Sequence, residues 1–185
     1  MATATLSNPK TSMLSETLAA HLNRQIDLEQ YSSNLYLQMS SWCDSQGLTG
    51  CKAFMRKHAD EEMDHMHRLF EYVNACGGMA LIGAIKKPRH EFKDVEDLFD
   101  ATLAHEQAIT KAINDLAAAA FGESDFSTFN FLQWYVAEQH EEEVLFKHIL
   151  DRIRLIGTEG TGLFMIDQEL GKLAEGSTSV VTPAE

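Results

Sequence analysis

The chain has 185 residues, 44% of them hydrophobic, with 28 acidic residues against 15 basic ones and a formal net charge of −13. That length suits one domain able to bury a real core, and the acidic balance argues against non-specific nucleic-acid binding and suits a protein that attracts cations. No run of about 18 apolar residues exists, so no membrane-spanning helix is expected, and the opening MATATLSNPKTS lacks the apolar stretch of a secretory signal. Cys43, Cys51 and Cys76 are odd in number and form no C-x-x-C pair. They read as small buried fillers in a reducing cytoplasm rather than as a disulfide framework.

Residues 1–12 read as a flexible N-terminal tail. The first helix is expected from about Met13 to Trp42, with Leu14, Leu18, Leu22 and Ile26 at four-residue steps. DSQGLTG breaks it, and Thr49 is the expected N-cap of a second helix that runs to about Cys76 and is closed by Gly77 and Gly78. Residues 77–93 contain Pro88 and carry no clean period, so they read as a long crossover. Asp94, followed by Glu96 and Asp97, supplies an N-cap and an acidic first turn for a third helix ending before Gly122. The GESDFS turn leads into a fourth helix from about Ser127 to Ile156, and GLFMIDQELGKL reads as a short amphipathic fifth. Residues 174–185 read as a flexible C-terminal tail. Two short-looped helix pairs joined by one long connection make an all-α four-helix bundle, here spanning 13–173 with the fifth helix included.

Each long helix has an apolar face interrupted near its middle by acid. At the helical repeat, the first face reads Leu22, Ile26, Glu29, Ser33, Tyr36, Met39, and the second reads Phe54, His58, Glu61/Glu62, His65, Leu69, Tyr72. The third reads Phe99, Thr102, Glu106, Ile109, Ile113, Leu116, and the fourth Phe131, Trp134/Tyr135, Glu138, Glu141/Glu142, Leu145, Ile149. These carboxylates should meet at one level of the bundle. An ionised carboxylate taken out of water costs several kcal/mol even after relaxation, and a cluster of them repels itself as well. Arg56, Lys57 and Lys147 lie off these faces or at their edge. A bound multivalent cation is the cheapest compensation, and oxygen ligands with one or two imidazoles suit iron, manganese or zinc. Glu62-x-x-His65 places a carboxylate and an imidazole on one side of a helix. Alone that spacing is weak; joined to inward glutamates on three further helices it is strong.

The segments LEQYSSNLYLQMS, HADEEMDHMHRLFEY and FNFLQWYVAEQHEEEVLFKHI resemble the ferritins, and most of all the non-haem bacterial type, over residues 14 to 171 or so. The resemblance implies a 24-subunit hollow cage in the cytoplasm. It implies a ferroxidase, which oxidises Fe2+ with O2 or H2O2 at an intra-subunit di-iron centre and stores the product as ferric oxyhydroxide mineral. By position, Glu29, Glu62 and His65 match the first iron site. Glu62 bridges to a second site that includes Glu106, with Gln139 and Glu142 nearby. Glu61, Glu138 and Glu141 match a third, transient iron site, and Tyr36 and Trp134 match aromatics beside the centre. One departure is informative. Bacterioferritins and rubrerythrin-like peroxidases carry a second E-x-x-H on the last bundle helix, whereas the positions three after Glu138, Glu141 and Glu142 are here Glu141, Val144 and Leu145. An asymmetric centre is expected, its second iron held loosely enough to be passed onward. Met63 sits where bacterioferritins place a haem ligand, but haem-free ferritins also have Met there, and haem is not expected.

Two other functions compete. A di-iron peroxidase or oxygenase of rubrerythrin type would retain its metals, against which the missing second E-x-x-H argues. A non-catalytic, DNA-protecting cage would want a basic tail, and the first twelve residues hold one lysine. No nucleic-acid or membrane partner is expected. His58 reads as a hydrogen-bonded packing residue, and His67, His105, His140 and His148 read as helix-surface or interface residues. Glu123 and Asp125, before the fourth helix, are the first candidates for an iron-admitting pore.

Overall fold

Four long amphipathic segments without internal proline leave the chain little choice but helix, and the chain follows them closely. The computed structural model describes residues 12–176, so the two expected tails fall almost wholly outside the described residues. Five helices follow in order: α1 Glu16–Ser45, α2 Thr49–Ala75, α3 Val95–Gly122, α4 Phe126–Ile156 and α5 Gly160–Ala174. α1 packs on α2 and α3 on α4, α1 also lies against α3, and α5 folds back onto α2 and α4. α2 and α4 stand apart, with no Cα of one within 8 Å of a Cα of the other.

Local capping sets most of the helix starts. Ser15 accepts from the Leu18 N–H at 3.0 Å, Asp94 from Asp97 at 2.9 Å, and Asp125 from Thr128 at 3.0 Å, each side chain satisfying one of the free donors of a first turn. Asp125, whose second oxygen also accepts from the Thr128 hydroxyl at 2.6 Å, is thus committed to capping α4. The expectation for α2 needs correction. Thr49 is already helical, and the N-cap is Leu48, whose side chain can accept nothing. The missing acceptor comes from another helix: Asp167 of α5 takes the Cys51 N–H on its Oδ1 at 2.9 Å. With the cap supplied across the tertiary contact, no capping residue is required in the local sequence.

That contact is close. A Cβ placed on Gly50 would lie 1.8 Å from the Asp167 carbonyl oxygen, and one placed on Gly171 would lie 3.3 Å from the Gly50 Cα. The helices therefore meet backbone to backbone, glycine against glycine.

The crossover, with no regular structure between α2 and α3, is strapped down by side chains. Asn74 accepts from the Ala80 N–H at 3.2 Å, and α1 supplies Asn23 to Leu81 at 2.8 Å and Asp27 to Gly83 at 2.7 Å. Donors that an irregular strand would otherwise leave to water are thus paired.

The apolar core is divided. One cluster joins Met39, Phe54, Phe99, Phe146 and Ile153 with Ile166 and Leu170 of α5. The other joins Leu18, Leu22, Leu69, Ile113 and Leu132. Between them lies a polar belt in which Glu29, Ser32, Ser33, His58, Glu62, His65, Glu106 and Gln139 are all buried.

Gly50→Ala should destabilise the protein by about 1–3 kcal/mol, the usual range for overpacking, because α5 must move to admit the methyl group. Asp167→Ala should cost about 1 kcal/mol for the lost cap, while Asp167→Asn, which keeps an oxygen acceptor, should cost less. Thermal midpoints of the three variants check the order; a neutral Gly50→Ala would contradict the backbone contact.

Candidate metal centre

Glu29 and Tyr36, seven residues apart, share one face of α1. α2 contributes His58, Glu61, Glu62 and His65, α3 contributes Glu106, and α4 contributes Glu138, Gln139, Glu141 and Glu142. Of these, Glu29, Tyr36, His58, Glu62, His65, Glu106, Gln139 and Glu142 are buried, Glu61 and Glu138 are partly exposed, and Glu141 is exposed.

Glu29, Glu62 and His65 converge, each offering a ligand atom within 4.8 Å of the others. His65 Nδ1 lies 3.6 Å from Glu62 Oε2, and Gln25 donates to Glu29 Oε1 at 2.9 Å. Glu106 stands across the belt with both oxygens engaged: Tyr36 O–H donates to Oε1, and Gln139 Nε2 donates to Oε2 at 2.9 Å. The two halves of the site are therefore prepared differently. One has two carboxylates and an imidazole with free lone pairs; the other has a carboxylate already held by neutral donors.

A second convergence joins His58, Glu61 and Glu142, again within 4.8 Å, with His58 Nδ1 at 3.2 Å from Glu61 Oε2 and 3.6 Å from Glu142 Oε1. Glu138 and Glu141 belong to neither group. His58 was read from the sequence as a packing residue, and it does pack, with its ring 4.3 Å from Phe54 and 5.2 Å from Phe146. Its approach to Glu61 and Glu142 follows from standing four residues before Glu62 on the same stripe. His105 is a correction. It was expected at a helix surface or interface, yet it is partly buried, its Nε2 2.8 Å from the Ser32 hydroxyl and its ring edge-on to Tyr36. Burial pushes its imidazole down to about 4, so it is neutral near pH 7.

Around His65 the supports are aromatic. Trp134 meets the imidazole edge to face at 5.1 Å, the Arg68 guanidinium lies 4.2 Å over the Trp134 ring, and Tyr135 O–H donates to the His65 carbonyl at 2.8 Å.

Buried Oε2 atoms of Glu29, Glu62 and Glu142 have no hydrogen-bond partner. Among the described residues no Lys or Arg pairs with Glu29, Glu62, Glu106 or Glu142. Buried carboxylate oxygens without a hydrogen-bond partner are an arrangement that cations complete.

The same layer holds its protons tightly. Burial pushes Glu62 up to about 8, with Glu142 and Glu61 adding repulsion. Burial, followed by the charge of Glu142, pushes Glu106 up to about 8. Burial and then Glu62 raise Glu29 well above the usual carboxylate range. For carboxyls raised above their unfolded values, the stability they contribute is fully present below about pH 4.5 and is lost as pH rises through about 8. The metal-free protein should therefore lose stability from this layer between about pH 5 and 8, and Glu62→Gln should flatten that slope and raise the midpoint at pH 8. Divalent-ion binding should tighten over the same range, since each carboxyl must give up its proton to ligate. Melting curves and calorimetric titrations in two buffers of different ionisation enthalpy measure both; a pH-independent affinity would refute the proton count.

Comparison with known proteins places the geometry in a lineage. A family model described as a ferritin-like domain matches residues 19–156. A Haemophilus influenzae protein described as a probable bacterial non-heme ferritin-like protein is 54% identical over 162 residues, 88% of this chain and 98% of its own. Among solved structures, a Chlorobium tepidum ferritin is 50% identical with a TM-score of 0.78, covering 86% of this chain and 98% of its own. An open-pore ferritin from Archaeoglobus fulgidus is 42% identical with a TM-score of 0.84, covering 85% and 98%. A four-helix bundle with a carboxylate and imidazole layer, a long crossover and a short fifth helix, matched along most of its length by these relatives, belongs to the ferritin family.

Proposed function

We propose that the chain is an iron-storage ferritin in which Glu29, Glu62 and His65 hold one Fe2+ substrate ion, Glu106 with Gln139 and Glu142 holds a second, and Glu62 lies between them. The observation that carries this reading is the set of unpartnered carboxylate oxygens in the buried layer between the two apolar clusters. The enzyme is a ferroxidase. Each Fe2+ gives one electron, so a pair reduces O2 with two protons to H2O2, or H2O2 with two protons to two waters. Fe2+ must displace the protons that burial holds on Glu62 and Glu106, so metal binding releases protons before oxidation consumes them. Anionic oxygen ligands stabilise Fe3+ over Fe2+ and so favour electron loss.

The inequality of the two halves supports a handover. Iron at Glu106 must share oxygens that already accept from Tyr36 and Gln139, which weakens its hold relative to the Glu29 side. Oxidised iron leaves by the acidic side of α2 and α4. Glu61, Glu138 and Glu141 form the third, transient station there, and the approach of His58 and Glu142 to Glu61 supports a waypoint on that side. The mineral accumulates inside a 24-subunit cytoplasmic cage. Large apolar side chains left bare on one chain support assembly: Met79, Leu81 and Ile82 on the crossover, and Leu155, Phe164 and Met165 near α5.

Light scattering at micromolar concentration should give a particle of several hundred kilodaltons, built from subunits of 20.7 kDa; a monomer would remove the cage. Glu62→Ala should keep that assembly and lose the rapid phase of Fe2+ oxidation seen by stopped flow at two Fe2+ per chain in air, a fall of at least tenfold. A normal rapid phase in an intact particle would show that Glu62 does not bridge.

A further inference from the structure

Between α3 and α4 the surface opens into a cavity of about 220 Å³ whose walls include Thr110, Asn114, Gln139, His140 and Glu143. At roughly 30 Å³ per liquid water, that is room for a divalent cation with its full shell of six waters. Asn114 and His140 are exposed at the mouth, while Gln139 is buried at the inner end. Gln139 belongs to the cavity and to the metal layer at once: its Nε2 donates to Glu106 Oε2 at 2.9 Å and lies 3.4 Å from Thr110 Oγ1. One amide therefore separates the cavity from the carboxylate on the second-iron side. The Glu29, Glu62 and His65 group is built on α1 and α2 instead.

The lining chemistry is that of a passage. Beside apolar wall from Ile113 and Val136, amide and hydroxyl oxygens from Asn114, Gln139 and Thr110, one carboxylate from Glu143 and one imidazole from His140 can attract a cation and replace some of its waters. A single anionic group is too little to retain it against the several carboxylates beyond. We propose that this cavity is the port through which hydrated Fe2+ reaches the Glu106 side of the centre, with Gln139 as its inner gate. Iron for the second position then arrives through the flank of its own subunit without passing over the first. This port rests on the di-iron reading above and on the α3–α4 flank staying open to water in the assembled particle.

Asn114→Phe fills the mouth without touching a proposed ligand, Asn114→Ser leaves it open, and Glu143→Gln removes its charge. The assembled proteins are compared by stopped flow at two Fe2+ per chain, with Fe2+ and O2 varied separately. Anaerobic Co2+ titration counts the metal positions. Asn114→Phe should slow the rapid phase at least tenfold and make it dependent on Fe2+ but not O2, with two Co2+ still bound per chain, while Asn114→Ser stays close to the parent. Glu143→Gln should lower the apparent rate constant for Fe2+ severalfold and weaken its salt dependence. If Asn114→Phe loses Co2+ positions, the charge variant decides the matter alone. An unchanged rapid phase in both variants, or a slowed one restored by raising O2, would overturn the port. A parent protein holding fewer than two Co2+ would overturn the di-iron reading itself, which the same titration shows separately.

Discussion

The desolvation of carboxylates between two greasy layers is the constraint to which the remainder of the molecule answers. Glu29, Glu62 and Glu106 are almost fully buried and Glu142 nearly so, and among the described residues none pairs with a lysine or arginine. Such a belt would not survive in a small core. It is tolerated because helices of 27 to 31 residues extend well past it on both sides, giving one apolar cluster above and another below. The separation of α2 from α4 belongs to the same solution. Long acidic side chains need width as well as shielding, and the bundle is widest on the side where most of them are found.

Within the belt, neutral groups set the difference between the halves. Tyr36 and Gln139 occupy both oxygens of Glu106, whereas Glu29 and Glu62 each keep one free. A hydrogen bond between neutral and acidic partners can be given up for about 1–2 kcal/mol, small beside the attraction of a divalent ion for an anionic oxygen. Its effect is to rank the two sides, not to close one. The absence of an E-x-x-H pair on α4, where Glu141, Val144 and Leu145 stand three residues after Glu138, Glu141 and Glu142, acts in the same direction.

Most of this was legible because it is periodic. The interruption of four apolar stripes by acid at one level is a statement about helix faces, and faces survive folding unchanged. Local chemistry was legible too: Asp94 caps α3 as its sequence neighbours imply. What could not be read was anything decided between distant segments. Thr49 is a good capping residue by type, but Asp167, more than a hundred positions away, does the work. His105 looked like surface because histidine usually is; Ser32 and the tyrosines of α1 draw it inward. His58 packs on aromatic rings and meets an acid as a hydrogen-bonded packing residue should, but which acids it meets, Glu61 on its own helix and Glu142 on α4, depends on how the two helices come together.

The glycine contact between α2 and α5 has a mechanical meaning. Gly50 lies twelve residues before Glu62, and a helix rises about 1.5 Å per residue, so the clamp at Asp167 and Gly171 holds α2 by a lever arm of roughly 18 Å. Helices are stiff along their axes, and a displacement at one end is delivered to the other as translation. α5 leaves Phe164 and Met165 exposed, so whatever presses on those two side chains also presses on the strut that sets the height of Glu62 and His65. The exposed face of α5 and the carboxylate layer thus share a rigid member, so the alignment of Glu62 and His65 depends on how α5 is seated as much as on α2 itself.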